Sequence, residues 1–371
     1  MVRSQIEGIP GRTSRSSRRG RQNVFSWHDF FPPGPAAELG RSAAPLTRKE
    51  LPVMAIRSQM TFLVTVATLL EWGATSAAAE TTLRWKFTQG EKLAYLIEEK
   101  DATKATSDED VIELTQTLLL YTTWTVKAVD DSGKADIGVT IDRVRFRAEG
   151  KGVAKGIGAI DYDSKEQREP QDETWKGLKF LRSSLAAAVG AEFTLKIDPQ
   201  GRISDVTVPD KLAKALAATA AQELAGFFGS SFTAEGIQRK LTDWIVHLPL
   251  AAVTPKEKSW TDKRPMHKLA TNALMCTYQG PEARDGNRLE RIDISPELTV
   301  QREPDKPYEK ITSQEGKGVI YFDNQSGRLV EYTLRHKVAL ESYVGSSKYA
   351  ETDAETVVTV KLGKAEAEKG E

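Results

Sequence analysis

The sequence predicts an α+β protein made of two curved, largely antiparallel β-sheet lobes with a helical segment between them. Three observations support this expectation. Apolar and polar residues alternate through most of residues 83–146, which is typical of half-buried strands. The apolar spacing becomes helical between residues 175 and 248, and alternation returns from residue 274. We therefore predict an N-terminal β lobe at residues 80–170, a helical segment with one hairpin at 171–250, and a C-terminal β lobe at 251–362.

The N-terminal lobe is predicted to open with a hairpin. Leu83, Trp85 and Phe87 alternate with basic residues, and the Gln-Gly pair that follows reverses the chain. A polar loop comes next, and then a long strand at residues 114–129 that carries Trp124 on its apolar face. A turn containing Asp and Gly leads from this strand into its return strand.

The return strand contains one residue too many for a regular pattern. Its apolar residues alternate up to Ile141, and the apolar phase then jumps to Val144. Because a slip of one residue would turn every later side chain to the wrong face, we expect a β-bulge near Asp142 and Arg143. Bulges re-aim side chains, so these two residues are candidates for a ligand-binding site. The alternative is a bulge that only curves a long sheet.

The helical segment is predicted to hold three helices and a hairpin. Helices are expected at residues 175–189, from residue 209, and from Thr233, which can cap the third. The hairpin between the first two turns at residues 198–201. C-terminal strands are predicted at residues 274–278, 289–294, 318–322, 329–344 and 356–362, before a disordered charged tail at 363–371. His336 lies on an apolar strand face, where we expect a hydrogen-bonded core residue.

Residues 54–79 have the pattern of a signal peptide. Arg57 supplies the positive charge, residues 60–70 supply an apolar stretch, and three alanines ending at Ala79 form a small-residue cleavage site. The mature chain would then begin at Glu80. A membrane anchor is the competing interpretation, but the apolar run is shorter than the roughly 20 residues of a spanning helix. We expect export to the periplasm or the extracellular space, with no stable membrane span after cleavage.

Residues 1–53 carry a net charge of +5 and are rich in Ser, Gly and Pro. This composition indicates a disordered basic prefix. A basic arm for nucleic acid is the alternative, although an arm ahead of an export signal would be stranded or discarded. We expect a mis-assigned start, with translation beginning at Met54 or Met60.

The predicted mature chain has a net charge of −5, which does not favour nucleic acid as a partner. Its single cysteine, Cys276, cannot form an internal disulfide, so packing alone must stabilise the fold in an oxidising compartment. We expect Cys276 to be a small buried apolar residue rather than a reactive thiol.

The sequence has no nucleophile elbow, phosphate-binding loop or zinc-ligand spacing. We therefore predict no catalytic residue, no cofactor and no metal site. Asp161 and Asp163 fall on the same side of a predicted strand, as the carboxylate pair of a glycosidase could. Exposed strand ends also carry such pairs without any catalytic role.

Two tryptophans, Trp85 and Trp124, join Asp142 and Arg143 as weak candidates for a ligand-binding site. Aromatic side chains can line a groove for a carbohydrate or a lipid. Because the tryptophans are spread widely and embedded in apolar alternation, the alternative is that both belong to the core.

Three stretches resemble a known family. They are residues 83–95 (LRWKFTQGEKLAY), 124–130 (WTVKAVD) and 140–144 (TIDRV). These stretches are similar to a family of uncharacterised exported proteins of planctomycete-type bacteria, classed as a domain of unknown function. The resemblance implies a location in the bacterial envelope, and it supplies no catalytic residue.

The leading hypothesis from the sequence is a non-catalytic periplasmic binding or carrier protein for an apolar or lipid-like ligand. It rests on the export signal, the long one-sided strands and the missing catalytic motifs. The alternative is a structural or interaction module that binds another envelope protein through a sheet edge or the wet face. A third hypothesis is an enzyme with an unconventional acid/base pair, either Asp142 with Arg143 or Asp161 with Asp163.

Overall fold

The computed structural model describes residues 80–107, 110–152, 159–166, 182–183, 185–210, 212–213, 234–267, 269–304 and 306–363. The predicted signal peptide, the predicted basic prefix and residues 364–371 of the predicted charged tail lie outside these ranges. Within them, bounds are defined for twelve strands and one helix of three turns, and residues 185–188 form a further helical turn. The strands are β1 (Lys92–Ser107), β2 (Val111–Val129), β3 (Ala135–Gly152), β4 (Ala159–Asp163), β5 (Glu192–Ile197), β6 (Ile203–Thr207), β7 (Ser259–His267), β8 (Ala270–Arg284), β9 (Asn287–Val300), β10 (Tyr308–Asp323), β11 (Arg328–Val344) and β12 (Ser347–Gly363), and the helix is α1 (Ala234–Trp244).

All twelve strands belong to one open antiparallel sheet, so the predicted α+β fold with two β lobes is wrong. The strand order is β6-β5-β3-β2-β1-β12-β11-β10-β9-β8-β7, and β4 pairs with β3 beside this path. The two expected lobes merge because β1 pairs with β12 from Ala94↔Gly363 to Ser107↔Ala350. This seam makes the N-terminal and C-terminal strands neighbours in the centre of one sheet.

Two local expectations about the N-terminal part are also corrected. The stretch 98–107, expected as a polar loop, continues β1 to its end. The stretch 83–87 is not a hairpin strand. It runs across one end of the sheet, where the backbone N–H groups of Trp85 and Lys86 donate to the carbonyls of Pro199 and Gly327.

The expected hairpin at 198–201 is present as β5 and β6, and the third expected helix is present as α1. Most of the other two expected helices lies outside the described residues. None of the helices in the described ranges is long and apolar enough to cross a membrane.

The sheet is rolled around α1. Strands lie about 4.8 Å apart, so the ten intervals from β6 to β7 span about 48 Å along the sheet. An 11-residue helix is only about 16 Å long. Yet Gln238 of α1 donates to the Ile203 carbonyl of β6, and Arg239 donates to the Met266 carbonyl of β7. Both sheet edges must therefore curve towards the same helix, which gives the sheet an inner face and an outer face.

We call the end of the strands at which the turn between β5 and β6 lies the near end. The inner face is apolar there. Leu83 and Trp85 are buried there, and the Trp85 ring contacts Phe322 edge-on at 5.5 Å between centroids. The main hydrophobic core continues along the inner side of most strands. A second, smaller cluster lies towards the opposite or far end, and consists of Ala270, Leu298, Val338 and Leu340.

The outer face is charged. Cross-strand ion pairs there include Lys104 with Glu113 at 3.8 Å and Lys361 with Glu331 at 3.5 Å. Side chains alternate between the two faces along each strand, so this charged face lies directly behind the apolar one. The rolled sheet thus presents charge to water and apolar side chains to its interior.

Candidate functional site

A row of polar side chains crosses the inner face between the apolar residues on its near and far sides. Gln116 of β2 pairs with Asp101 of β1, Asp101 pairs with Thr356 of β12, and Thr356 pairs with His336 of β11. The four residues therefore stand side by side on adjacent strands and point the same way. We call them the polar row.

Asp101 is the centre of the polar row. Its two carboxylate oxygens accept hydrogen bonds from Gln116 Nε2 at 2.9 Å and from Thr356 Oγ1 at 2.7 Å. Both donors are neutral, so neither balances the negative charge of the Asp101 carboxylate. Burial, together with the nearby Glu99 carboxylate, raises the pKa of Asp101.

Helix α1 adds two charged side chains above the polar row. Lys240 Nζ contacts Glu99 Oε1 of β1 at 2.6 Å. Burial opposes the charge of Lys240, but Glu99 more than offsets this, and the pKa of Lys240 is raised. Asp243, one turn further along the helix, is half-buried. Burial raises the pKa of Asp243 in spite of Arg264 and Lys240 nearby.

A second ion pair lies on β7. Arg264 Nε and Nη2 donate to Asp262 Oδ2 at 2.9 and 2.8 Å, and Arg264 Nη2 also donates to the Ile245 carbonyl at 2.7 Å. The other oxygen of Asp262 contacts His247 Nδ1 at 2.7 Å. Burial acts against ionisation of Asp262, but the His247 bond and Arg264 lower its pKa.

Several polar atoms of the inner face are buried and have no hydrogen-bond partner in the protein. They include Tyr332 Oη and His336 Nε2 on β11, Asn272 Oδ1 on β8 and Trp244 Nε1 at the end of α1. Burial lowers the pKa of His336. The expectation that His336 is a hydrogen-bonded core residue is wrong for its Nε2 atom. Because buried polar groups normally have partners, each of these atoms marks a place where a bound molecule or water would supply a hydrogen bond.

The β-bulge expected near Asp142 and Arg143 is confirmed. Tyr121 pairs with Arg143 and Thr122 with Ile141, so Asp142 is the extra residue. Its carboxylate accepts a hydrogen bond from Thr123 Oγ1 at 2.7 Å. Arg143 Nε donates to Asp163 Oδ1 at 2.9 Å. The bulge therefore leads to an ion pair with β4 rather than to the interior.

The carboxylate pair of β4 is occupied by arginines. Arg147 Nη2 lies 2.9 Å from Asp161, and Arg143 and Arg145 both contact Asp163. The hydrogen bond from Arg143 holds the pKa of Asp163 at about 2. A general acid of a glycosidase needs a raised pKa, so Asp163 is unsuited to that task.

Trp85 and Trp124 are both core residues. Each is at most 3% exposed. Trp85 Nε1 donates to the Val246 carbonyl at 3.3 Å, and the Trp124 ring packs against Tyr95 at 5.1 Å between centroids. Cys276 is buried as expected, and burial raises the pKa of its thiol to about 12.

A groove of about 470 Å³ runs along β7 and the segment before it, with His247, Trp260 and Asp262 in its wall. Of the β7 ion pair, Asp262 lines this groove and Arg264 does not. Over the described ranges, no three His, Cys, Asp or Glu side chains are placed to hold a metal ion together.

Sequence reasoning missed the polar row and the charges on α1. Asp101 lay in a supposed loop, and its partner Thr356 is 255 residues away in the chain. Lys240 and Glu99 are 141 residues apart. One pattern in the sequence could have revealed this strand. After Ile97, Glu99 and Asp101 continue the two-residue period of the apolar residues before them.

A scan of the sequence against protein-family models matches none, and a search of curated proteins finds no match. Among solved structures, the chain is similar to one described as lipid-protein interactions in lipovitellin, with 8% identity and a TM-score of 0.40. That match covers 77% of this chain and 27% of the lipovitellin chain, so the chain spans about a quarter of that relative.

Two bacterial structures are also similar. An outer-membrane channel from Pseudomonas putida F1 has 7% identity and a TM-score of 0.22, over 78% of this chain and 98% of that one. A DUF1329 family protein from Desulfovibrio piger ATCC 29098 has 10% identity and a TM-score of 0.13, over 73% of this chain and 87% of that one. All three TM-scores lie below 0.5, so these similarities carry no argument about function.

Proposed function

We propose that the protein is a non-catalytic binding or carrier protein that holds an apolar, lipid-like ligand against the inner face of its rolled sheet. The observation that carries this proposal is a change in burial along β2. Trp124 and Val126 on its inner side are at most 3% exposed. Ile112, Leu114 and Leu118, on the same side but nearer the far end, are only half-buried.

Half-buried apolar side chains on an enclosed face favour an apolar ligand. Transfer of apolar surface out of water contributes roughly 25 cal/mol per Å², so covering these side chains would stabilise a complex. The neighbouring inner positions, Ala105 of β1 and Ala354 of β12, are small and also half-buried. On this proposal the ligand lies along the strands over these small side chains.

The fold supports a ligand on this face rather than on the other one. The outer face carries cross-strand ion pairs, which are solvated and offer nothing to an apolar molecule. The inner face is curved around α1, and ligand sites in proteins are concave and mostly apolar with a few polar groups. The polar row supplies such groups.

Binding without catalysis is proposed because of how the polar groups are arranged. Within the described residues, the acids suggested by the sequence as a catalytic pair, Asp161 and Asp163, are each held by arginine. The inner charges form two carboxylate-cation pairs, Glu99 with Lys240 and Asp262 with Arg264. These arrangements bind and orient, and none of them places a nucleophile beside a base.

We further propose that the protein acts outside the cytoplasm, in the periplasm or the extracellular space. The support is the signal-peptide pattern of residues 54–79 and the resemblance of residues 83–95 to exported planctomycete-type proteins. On this view the ligand is a component of the cell envelope or a molecule that passes through it.

The alternative, an interaction module that binds an envelope protein by strand addition, has less support. Strand addition needs an open sheet edge. The carbonyls of Ile203 on β6 and Met266 on β7 already accept bonds from α1. A partner could still use the charged outer face, and crosslinking of the native protein would detect it.

The binding proposal is tested with N-phenyl-1-naphthylamine, a neutral fluorescent probe for apolar sites, and two adjacent leucines of β2. Leu118 points to the inner face and Leu119 to the outer face, where it pairs with Glu98 and Arg145. We expect Leu118→Asn to weaken probe binding about tenfold, which corresponds to about 1.4 kcal/mol. Leu119→Asn should leave the affinity within twofold. Equal losses in the two variants, or no probe binding at all, would contradict the proposal.

A further inference from the structure

We infer that the polar row and the charged end of α1 form a subsite for a cationic amine at the head of the ligand's apolar chain. This inference rests on the proposed function, since it names the ligand class for the same inner face. Three observations support it: the balance of charge, the unpartnered acceptors, and the apolar surface beyond the site.

The interior around α1 holds more acids than permanent cations. Four carboxylates lie there, those of Glu99, Asp101, Asp243 and Asp262. Lys240 neutralises Glu99 at 2.6 Å, and Arg264 neutralises Asp262 at 2.8 Å. Asp101 has only neutral donors, and Asp243 makes no ion pair within 4.0 Å among the described residues. Two carboxylates are thus left without a bound cation, and the third permanent cation, Arg239, donates to the Met266 carbonyl instead.

Holding two partly buried carboxylates without a bound cation is unfavourable unless a cation joins them or they take up protons. Burial raises the pKa of both carboxyl groups in spite of the cations nearby. Lys240, Arg264 and Arg239 are the cations that act on Asp243, and Lys240 is the one that acts on Asp101. A protonated primary amine carries one positive charge and three N–H donors. It can therefore supply both positive charge and hydrogen bonds to the carboxylates.

Tyr332 Oη, an unpartnered atom near Asp243, can accept a hydrogen bond. Tyr332 is fully buried, and its Oη has no partner. Its electrostatic neighbours are Arg264, Asp243 and Asp262, which places the hydroxyl in the same interior. His336 Nε2 is also buried without a partner, and a neutral histidine can present a lone pair there. An ammonium group would donate to such atoms, whereas a carboxylate would meet further negative charge.

The apolar part of the ligand has a continuous path from this subsite. From Asp101 to the end of β1 at Ser107 the inner face extends about 20 Å, at 3.3 Å per residue. Leu114 and Ile112 lie along this path, with Ala354 on the neighbouring strand. The chain of a long-chain alkylamine would cover the half-buried side chains while its head stays at the polar row.

The test compares dodecylamine, dodecanol and dodecanoate as competitors of the fluorescent probe on the full protein at neutral pH. We expect dodecylamine to bind at least tenfold more tightly than either of the other two. Asp243→Asn and Asp101→Asn should each reduce this preference to threefold or less. Asp353→Asn, an exposed change on the outer side of β12, is the matched control and should keep the full preference.

The outcomes separate this inference from the proposed function. Equal affinities for the three compounds, or tighter binding of dodecanoate, would overturn the amine subsite and leave apolar binding standing. A preference that survives both Asp→Asn substitutions would also overturn it. If none of the three displaces the probe, the proposed function fails and the subsite fails with it. Melting temperatures of the variants, expected at or above that of the unaltered protein, show that each one is folded.

Discussion

Gly201 shows how a single residue fixes the near end of the sheet. It lies in the turn between β5 and β6 with a φ of +84°, a backbone conformation that side chains disfavour. A Cβ atom at this position would lie 2.5 Å from the Val246 carbonyl oxygen and 2.6 Å from Trp85 Nε1. The turn also accepts a hydrogen bond from Leu248 at the carbonyl of Gln200. Close approach of three chain segments therefore requires glycine here.

We expect Gly201→Ala to lower the free energy of unfolding by about 3 kcal/mol or more, because left-handed strain adds to a clash with backbone. Gly90→Ala is the matched control. Its φ is +83°, but nothing lies within 4 Å of the added Cβ, so only about 1–2 kcal/mol should be lost. Urea denaturation of both variants measures the difference, and equal losses would mean that the contact at Gly201 is unimportant.

Asp163 illustrates a charge that acts on stability rather than on a ligand. Its pKa is about 2 in the folded protein because Arg143 donates to it, against about 3.9 in an unfolded chain. A lowered pKa stabilises the fold above about pH 4, and that contribution is lost as the pH falls towards 2. Asp163 is buried, but Arg143 and Arg145, which contact it, remain partly exposed to water, so the contribution is modest.

We expect Asp163→Asn to cost about 1–2 kcal/mol at pH 7 and to make unfolding less dependent on pH between 4 and 2. Asp161→Asn, at the exposed neighbouring ion pair, should cost less than about 0.5 kcal/mol at the same pH. Denaturation curves recorded from pH 2 to pH 7 give both values. A stability profile of Asp163→Asn that runs parallel to that of the unaltered protein would contradict the role of Asp163.

At the scale of single elements, α1 determines the curvature of the sheet. Neighbouring side chains of this helix bond to opposite sheet edges, Gln238 to β6 and Arg239 to β7, and Lys240 bonds to β1 in the sheet centre. Leu241 and Trp244 of the same helix are buried in the core. The helix therefore sets the space above the polar row and brings two of its charges.

Removal of the bond to β7 should loosen that edge selectively. We expect Arg239→Ala to increase amide hydrogen exchange in β7 severalfold, because the strand loses its anchor to α1. Gln238→Ala, one residue earlier, should leave β7 protected, since its partner is β6. Mass spectrometry of peptides covering residues 259–267 reports the change. Unaltered exchange there in Arg239→Ala would show that the edge is held by other contacts.

The elements also show which parts of the fold could be predicted from sequence. The bulge at Asp142 was predictable because apolar alternation on β3 is strict on both sides of it. The far half of β1 was not, since Glu99 and Asp101 replace the apolar residues that mark a buried strand. Their polarity makes sense only beside Lys240 and Thr356, which are distant in the chain. Local patterns identify strands, but not the pairing that joins them.

The whole molecule depends on the seam between β1 and β12. The pairing Asp101↔Thr356 lies within this seam. The centre of the polar row therefore forms only when the first strand, β1, pairs with the last strand, β12. Two separate lobes, as the sequence predicted, would have left both seam strands as exposed edges. The continuous sheet removes those edges and creates the long inner face on which the proposed ligand lies.

Most pairings of this sheet join strands that follow one another in the chain, whereas the seam joins residues more than 240 positions apart. Such non-local pairing makes folding slow, because the entropy of closing a long loop must be overcome first. The charged outer face keeps the rolled sheet compatible with water on its convex side. The inner face of the sheet is thus the buried, apolar one, and the outer face is the charged one.

Native mass spectrometry of the protein purified without detergent, followed by titration with dodecylamine, tests binding on the inner face most directly. We predict a complex of one chain with one ligand molecule, present at purification or formed at micromolar dodecylamine, and lost in Leu118→Asn at the same concentration. A spectrum showing only the bare chain at every concentration, or multiple weak adducts unaffected by Leu118→Asn, would contradict the account.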